Sequence, residues 1–263
     1  MEIKFGNFSV TSVTEVPQRM NMLIWGASGC GKTTLASTAP GKKLWILFDP
    51  DGTTSLLDVK NRDEIEVVDL SKADCNIIAQ LSAENCMGLE KILTDNAEIE
   101  TVVLDSVTTL LDKCLQLGVM SVRGASEMTP TLQGYGNRKF YLEKIIKNLV
   151  KITAKCNKHL ILLAHEDSPS LDSDGCVQAI EPLMGGKSAV SLPIILSEVW
   201  NMYIDGKDRK IRIKQNAIRK PMKSRMFKDV QDFTWKYTPE AGGIGIKEWY
   251  DEWVKQKTKI MPF

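Results

Sequence analysis

Between positions 26 and 33 the chain reads Gly26-Ala27-Ser28-Gly29-Cys30-Gly31-Lys32-Thr33, which satisfies G-x-x-x-x-G-K-T. Glycines at 26, 29 and 31 let successive backbone N–H groups turn inward, and a helix opening at Lys32 adds its positive end to the same concavity. That chemistry suits a triphosphate, with Lys32 reaching the β- and γ-phosphates and the Thr33 hydroxyl taking one position on magnesium. The flanks agree with this reading. Met22 to Trp25 is a short apolar run of strand type, and Lys32 to Ser37 continues in helix formers until Pro40-Gly41 stops it. The candidate ligands for ATP are therefore Gly26, Ala27, Ser28, Gly29, Cys30, Gly31, Lys32, Thr33 and Thr34, with Mg2+ as the companion ion. Cys30 reads as a small space-filler, since a phosphate cradle uses its backbone and not its thiol.

Carboxylates at strand ends supply the rest. Asp105 closes the run Thr101-Val102-Val103-Leu104, so its side chain emerges at the edge of the sheet beside the loop, where it can hold the magnesium shell through water. Ser106 either shares that site or caps the next helix. An attacking water needs an orienting group, and Asp49 and Asp51 follow the strand Leu44 to Phe48. Asp51 is the preferred candidate. A third strand end offers His165 and Glu166.

The elements that must position these groups alternate. Strands are expected at 22–25, 44–48, 66–70, 101–105 and 159–164. Helical periodicity covers 73–93 with an interruption near 83–87, resumes from Val107, and forms a long amphipathic helix over 138–156 after a polar stretch from Arg123 to Gly136. Strands alternating with helices make an α/β fold with a mostly parallel central sheet and helices on both faces. The last third changes: 198–204 and 210–214 flank Asp205-Gly206-Lys207-Asp208, an antiparallel hairpin, and 233–237 adds a strand. Trp249, Tyr250 and Trp253 then lie on a docked helix over 246–255. One domain across 1–263 is expected.

Composition narrows the function classes. Lysine plus arginine number 34 against 33 acids, so total charge is silent about polyanions, yet 207–228 holds ten basic residues and one acid. Six cysteines without a C-x-x-C pair, and two histidines, argue against structural zinc. The sequence shows no signal-peptide core and no apolar run approaching the roughly 18 residues of a membrane helix, which implies a cytoplasmic protein with reduced thiols.

The chain resembles the short RecA-like recombinases of bacteriophages, which are little more than a RecA ATPase core and act in single-strand annealing. The resemblance rests on the Gly26 to Thr34 loop, Phe48-Asp49-Pro50-Asp51, Val103-Leu104-Asp105-Ser106, Leu163-Ala164-His165-Glu166 and Ile211-Arg212-Ile213-Lys214-Gln215-Asn216, in RecA order over about residues 20–230. It implies catalytic roles for Lys32, Asp51, His165, Glu166 and Lys214. Asp51 falls where the family has a catalytic glutamate, and His165 where it has a glutamine that couples the γ-phosphate to the DNA loops; both are departures. Lys214, with Arg219 as competitor, would serve the ATP of a neighbouring copy. Gly118 to Gly136 and Asp167 to Ser188 fall at the DNA-contacting loops, with Arg123, Arg138, Gly185, Gly186 and Lys187 as candidate phosphate ligands. The implied partners are single-stranded DNA, further copies of the chain in a head-to-tail filament or ring, and a single-strand-binding protein. A P-loop phosphotransferase for a small molecule, and a loader or packaging motor, are the alternative functions; no arginine-rich lid supports the former.

Overall fold

The computed structural model describes residues 4–5, 8–9, 11–12, 16–238 and 242–258. The run Lys259-Ile260-Met261-Pro262-Phe263, open to reading as a docking peptide or a frayed end, lies outside them. A two-stranded ribbon, β1 (Lys4–Phe5) and β2 (Phe8–Ser9), precedes the main body. Then follow β3 (Asn21–Gly26), α1 (Lys32–Ser37), β4 (Lys42–Leu47), α2 (Gly52–Leu57), β5 (Ile65–Asp69), α3 (Ile77–Ser82) and α4 (Leu89–Asp95). The centre is formed by β6 (Ile99–Asp105), α5 (Val107–Met120), α6 (Leu132–Lys155) and β7 (His159–His165). The last part comprises β8 (Ser170–Leu171), β9 (Val177–Ala179), α7 (Ser188–Ile194), β10 (Glu198–Asp205), β11 (Asp208–Arg212), β12 (Asp232–Thr234) and α8 (Ile246–Thr258).

Eight strands form one sheet in the order β12-β11-β10-β3-β7-β6-β4-β5. From β10 to β5 every neighbouring pair is parallel, while β11 and β12 are antiparallel additions at one edge. Strands β3 and β6 to β7 are buried on both faces, which is why they read as near-continuous apolar runs and not as alternation. Leu23 and Trp25 point to the side packed by α3 to α7, and Met22 and Ile24 to the side packed by α1, α2 and α8. Among the described residues no helix is long and apolar enough to cross a membrane.

Three expectations change. The polar stretch Arg123 to Gly136 is shorter than its composition suggests, because α6 already begins at Leu132, where Thr131 Oγ1 accepts from Gly134 N–H at 3.2 Å. Gly118 and Gly134 are not loop punctuation. A Cβ at Gly118 would lie 2.9 Å from Gly134 O and one at Gly134 3.0 Å from Val119 Cγ1, so both mark the close crossing of α5 and α6. The segment Asp167 to Ser188 contains the β8–β9 hairpin.

The C-terminal helix is tied to the helix that opens the glycine-rich loop. Thr38 caps the end of α1, and its Oγ1 and carbonyl O accept from Ile246 N at 2.9 Å and Lys247 N at 3.0 Å. Gly245 permits this approach, since a Cβ there would sit 2.3 Å from Thr38 Oγ1. Further along α8, Trp249 packs edge-on against Trp200, Phe227 and Phe233 with centroids 5.4 to 5.8 Å away. Tyr250 meets His159 edge-on at 4.7 Å, and His159 Nδ1 accepts from Met20 N at 3.0 Å. Burial, helped by the nearby Arg19, pushes the imidazole down to about 4.

That depression sets a pH dependence. Between about 4 and the ordinary histidine value the unfolded chain binds a proton that the folded chain refuses, so stability from this residue is complete near pH 7 and is lost on acidification. Unfolding of wild type and His159→Gln in denaturant at pH 7 and pH 4.5 should show the wild type losing about 2 kcal/mol more than the variant over that interval. Equal losses would mean the histidine does not titrate as its packing requires.

Candidate nucleotide site

Parallel pairing brings four strand ends to one edge: Gly26 stands opposite His165, Asp105 opposite Leu163, and Leu47 opposite Asp105. The glycine-rich loop leaves β3 at that edge. Gly26 is required by its neighbour strand, because a Cβ would lie 2.1 Å from Met202 O of β10. Gly31 has φ 102°, a left-handed conformation that opens the N-terminus of α1 toward the loop. Lys32 is buried, and its Nζ donates to Gly26 O at 3.0 Å and Ala27 O at 2.8 Å. Burial lowers its pKa, against the pull of Cys30, Asp105 and Asp49. Cys30 is buried as well, and burial raises its pKa, which keeps it a protonated filler beneath the loop.

Asp105 is the hub on the other side. Its Oδ2 accepts from Trp45 Nε1 at 3.2 Å and from Thr33 Oγ1 at 3.4 Å. Burial first, and the neighbouring Asp49 second, push it up to about 6. Burial works against ionisation of Asp49 too, yet the nearby His165 and hydrogen bonds from Thr109 and Ser106 outweigh it and hold this carboxyl below its ordinary range. His165 Nε2 stands 3.8 Å from Asp49 Oδ2, and Ser106 Oγ donates to Asp49 Oδ1 at 2.9 Å while accepting from Thr109 N at 3.3 Å. Both readings of Ser106, site member and helix cap, thus meet in one hydroxyl.

These groups line a cavity of about 250 Å3 formed by Ser28, Gly29, Gly31, Lys32, Thr33 and Thr34 from the loop and α1, with Asp49, Asp105, His165, Ser55 and Arg209. Asp51 is not in its wall. Phe48 N still bonds to Asp105 O, so Asp49 is the first residue free of the sheet, whereas Asp51 is exposed with φ 57° and leads into α2. Glu166 turns away to pair with Arg219 at 3.3 Å. Lys214 is exposed beyond the last residue of β11, which runs from Arg209 at the pocket edge to Arg212 at the far side of the sheet. Its own pocket is therefore out of its reach.

The residues expected at the DNA loops are partly joined. The Arg138 guanidinium lies over the Tyr135 ring at 4.8 Å, and a Cβ on Gly185 would come 3.0 Å from its Nη2. Gly185 and Gly186 both have left-handed φ, and Arg123 and Lys187 are exposed on their own segments. Sequence reasoning missed Ser55, Trp45 and Arg209. A tryptophan inside a fully buried strand signals an acceptor for its indole N–H, which could have pointed from Trp45 to Asp105; Arg209 needed the register Ile204↔Arg209 of the hairpin.

The donors suit magnesium. Among the described residues no group of three or more His, Cys, Asp or Glu side chains could cage a metal. A hydroxyl and a carboxylate within 3.4 Å of each other instead match an ion that completes its shell with water and phosphate oxygens.

The comparisons agree with this geometry. A family model described as an AAA domain matches residues 18–234. No curated protein matches the sequence. Among solved structures, the crystal structure of the RadB recombinase is similar over 84% of this chain and 88% of that one, at 13% identity and a TM-score of 0.51, a likeness of fold. With the matched model spanning most of its length and the sheet order described above, this chain belongs to the AAA domain family and is a P-loop ATPase of RecA-like fold.

Proposed function

We propose that the protein is an ATP-dependent recombinase or annealing ATPase of the phage type, binding single-stranded DNA and hydrolysing ATP between copies arranged head to tail, with the chain from 1 to 263 acting as one unit. The observation that carries the ATPase part is the meeting of Lys32, Thr33, Asp105, Asp49 and His165 in one cavity. The loop amides and Lys32 bind the phosphate chain. Thr33 and Asp105 would hold Mg2+, whose chemistry is to neutralise charge on the phosphate oxygens. Asp49, kept anionic and fixed by Ser106, Thr109 and His165, orients the attacking water in place of the exposed Asp51. Lys214, out of reach of its own pocket, acts on the nucleotide of a neighbouring copy.

Support for a single-stranded nucleic acid comes from charge and aromatic placement. Lys223 and Lys228 line a cavity of about 430 Å3 with Phe227 in its wall. A second of about 310 Å3 adjoins it through Lys228 and adds Arg225, Lys257 and Trp253. Cations beside partly exposed rings suit a phosphate backbone with stacking bases. In contrast, residues 166–186 carry Glu166, Asp167, Asp172, Asp174 and Glu181 and no lysine or arginine, so electrostatics favour the basic cavities over the β8–β9 hairpin as the backbone contact. A single-strand-binding protein remains the natural accessory partner.

Two measurements test this. In steady-state ATP hydrolysis Asp49→Asn should lower kcat by about a hundredfold or more, with ATP affinity retained, while Asp51→Asn stays near wild type; the reverse order would return the role to Asp51. Single-stranded DNA should stimulate hydrolysis, and Lys214→Ala should cut the stimulated rate while sparing ATP affinity. Indifference of the rate to DNA at low salt would instead favour a phosphotransferase or a motor without a DNA cofactor.

A further inference from the structure

Across the nucleotide cavity the charges are segregated by strand order. Asp49 and Asp105 end β4 and β6, His165 ends β7, the glycine-rich loop leaves β3, and Arg209 comes from β11 on the far side of β10. If the cavity holds a magnesium nucleotide, as the ATPase reading requires, the metal and the γ-phosphate belong at the aspartate end. The nucleoside end must then point across the loop toward β10 and β11.

Arg209 occupies that end. The antiparallel pair Ile204↔Arg209 and the bond from Trp235 N to Arg209 O at 2.8 Å fix its backbone. Its side chain lies along the loop: a Cβ built on Gly31 would be 3.1 Å from Arg209 Cδ and 3.2 Å from Nε. A side chain at position 31 would displace the arginine, so the glycine serves the arginine as well as the phosphate cradle. Arg209 also lines a second cavity, of about 660 Å3, with Ile204, Lys207, Thr234 and Tyr237, and so forms part of the wall of both spaces. Among the described residues its guanidinium has no carboxylate partner. A half-buried planar fork of donors facing a phosphate loop matches the oxygens of a phosphate group.

We propose that Arg209 binds the nucleotide of its own chain, holding the phosphate nearest the nucleoside against the glycine-rich loop and so setting the direction in which the nucleotide lies. This inference rests on the ATPase reading but fails separately from it. Its distinctive consequence is indifference to the γ-phosphate: ATP and ADP should depend on Arg209 alike.

The test is equilibrium binding of ATP and of ADP, each with magnesium, to the full chain. Lys32→Ala tests the reading, and Arg212→Gln controls for net charge, since Arg212 lies over the Tyr203 ring on the opposite face of the same strand. Arg209→Gln should weaken both nucleotides by the same factor, about ten- to a hundredfold, with Arg212→Gln at wild-type affinity. If Arg209→Gln does not fold, Arg209→Lys keeps the charge without the fork and should weaken both several-fold. Wild-type affinity for both nucleotides in the Arg209 variant overturns the proposal and leaves the ATPase reading standing. A loss for ATP alone would place the guanidinium at the γ-phosphate, and it overturns the proposal too. Failure of the wild type to bind either nucleotide, or binding untouched by Lys32→Ala, overturns the reading itself.

Discussion

Parallel strands joined by helices must all finish at the same edge of their sheet, and this constraint assembles the nucleotide site. The ladder sets Gly26 against His165 and Leu47 against Asp105, so chemistry-bearing residues distant in sequence arrive side by side at the interstrand spacing of about 4.8 Å. No long-range side-chain attraction is needed to gather them. The burial of β3, β6 and β7 fixes the register. A slip of one residue would turn Leu23 and Trp25 out of one core and Met22 and Ile24 out of the other, at a cost the sheet cannot meet.

How much was legible in the sequence follows from that constraint. The loop from Gly26 to Thr33 was readable because its function is local: glycines, a lysine and a hydroxyl at fixed spacing. Asp105 was readable because it ends an unmistakable buried strand. The choice between Asp49 and Asp51 was not, since it turns on the bond from Phe48 N to Asp105 O, which holds the last apolar residue in the ladder and leaves Asp49 the first residue beyond it. The segment bounded by Gly118 and Gly136 was set too long for a related reason. Composition marks a glycine as a turn, but here the missing Cβ lets two helices touch, a fact that belongs to their packing and not to either segment. Arg209 was least accessible, because its place depends on a hairpin, on a strand inserted beside β3, and on which face of β11 meets α1.

The electrostatic character of the site is likewise built from burial and neighbours. Two carboxyl groups at adjoining strand ends are driven apart. Asp105 is raised by burial and by its partner, and Asp49 is lowered by the nearby His165 and by the hydroxyls of Thr109 and Ser106. Environments that separate two aspartates in this way let adjoining carboxyl groups of one residue type differ in how readily they ionise. The helix that follows Asp105 supplies Thr109 and is capped by Ser106, so the element that packs the core also tunes the site.

Helix α1 has consequences beyond its cap on the phosphate loop. It is six residues long, about 9 Å, with Lys32 at one end and Thr38 joined to the first turn of α8 at the other. The absent side chain at Gly245 is what lets the two helices meet directly. Lys32 and the ring cluster around Trp249 are thus separated by one short helix and a single turn of another, which makes the tryptophans at the remote edge near neighbours of the glycine-rich loop by bonded path.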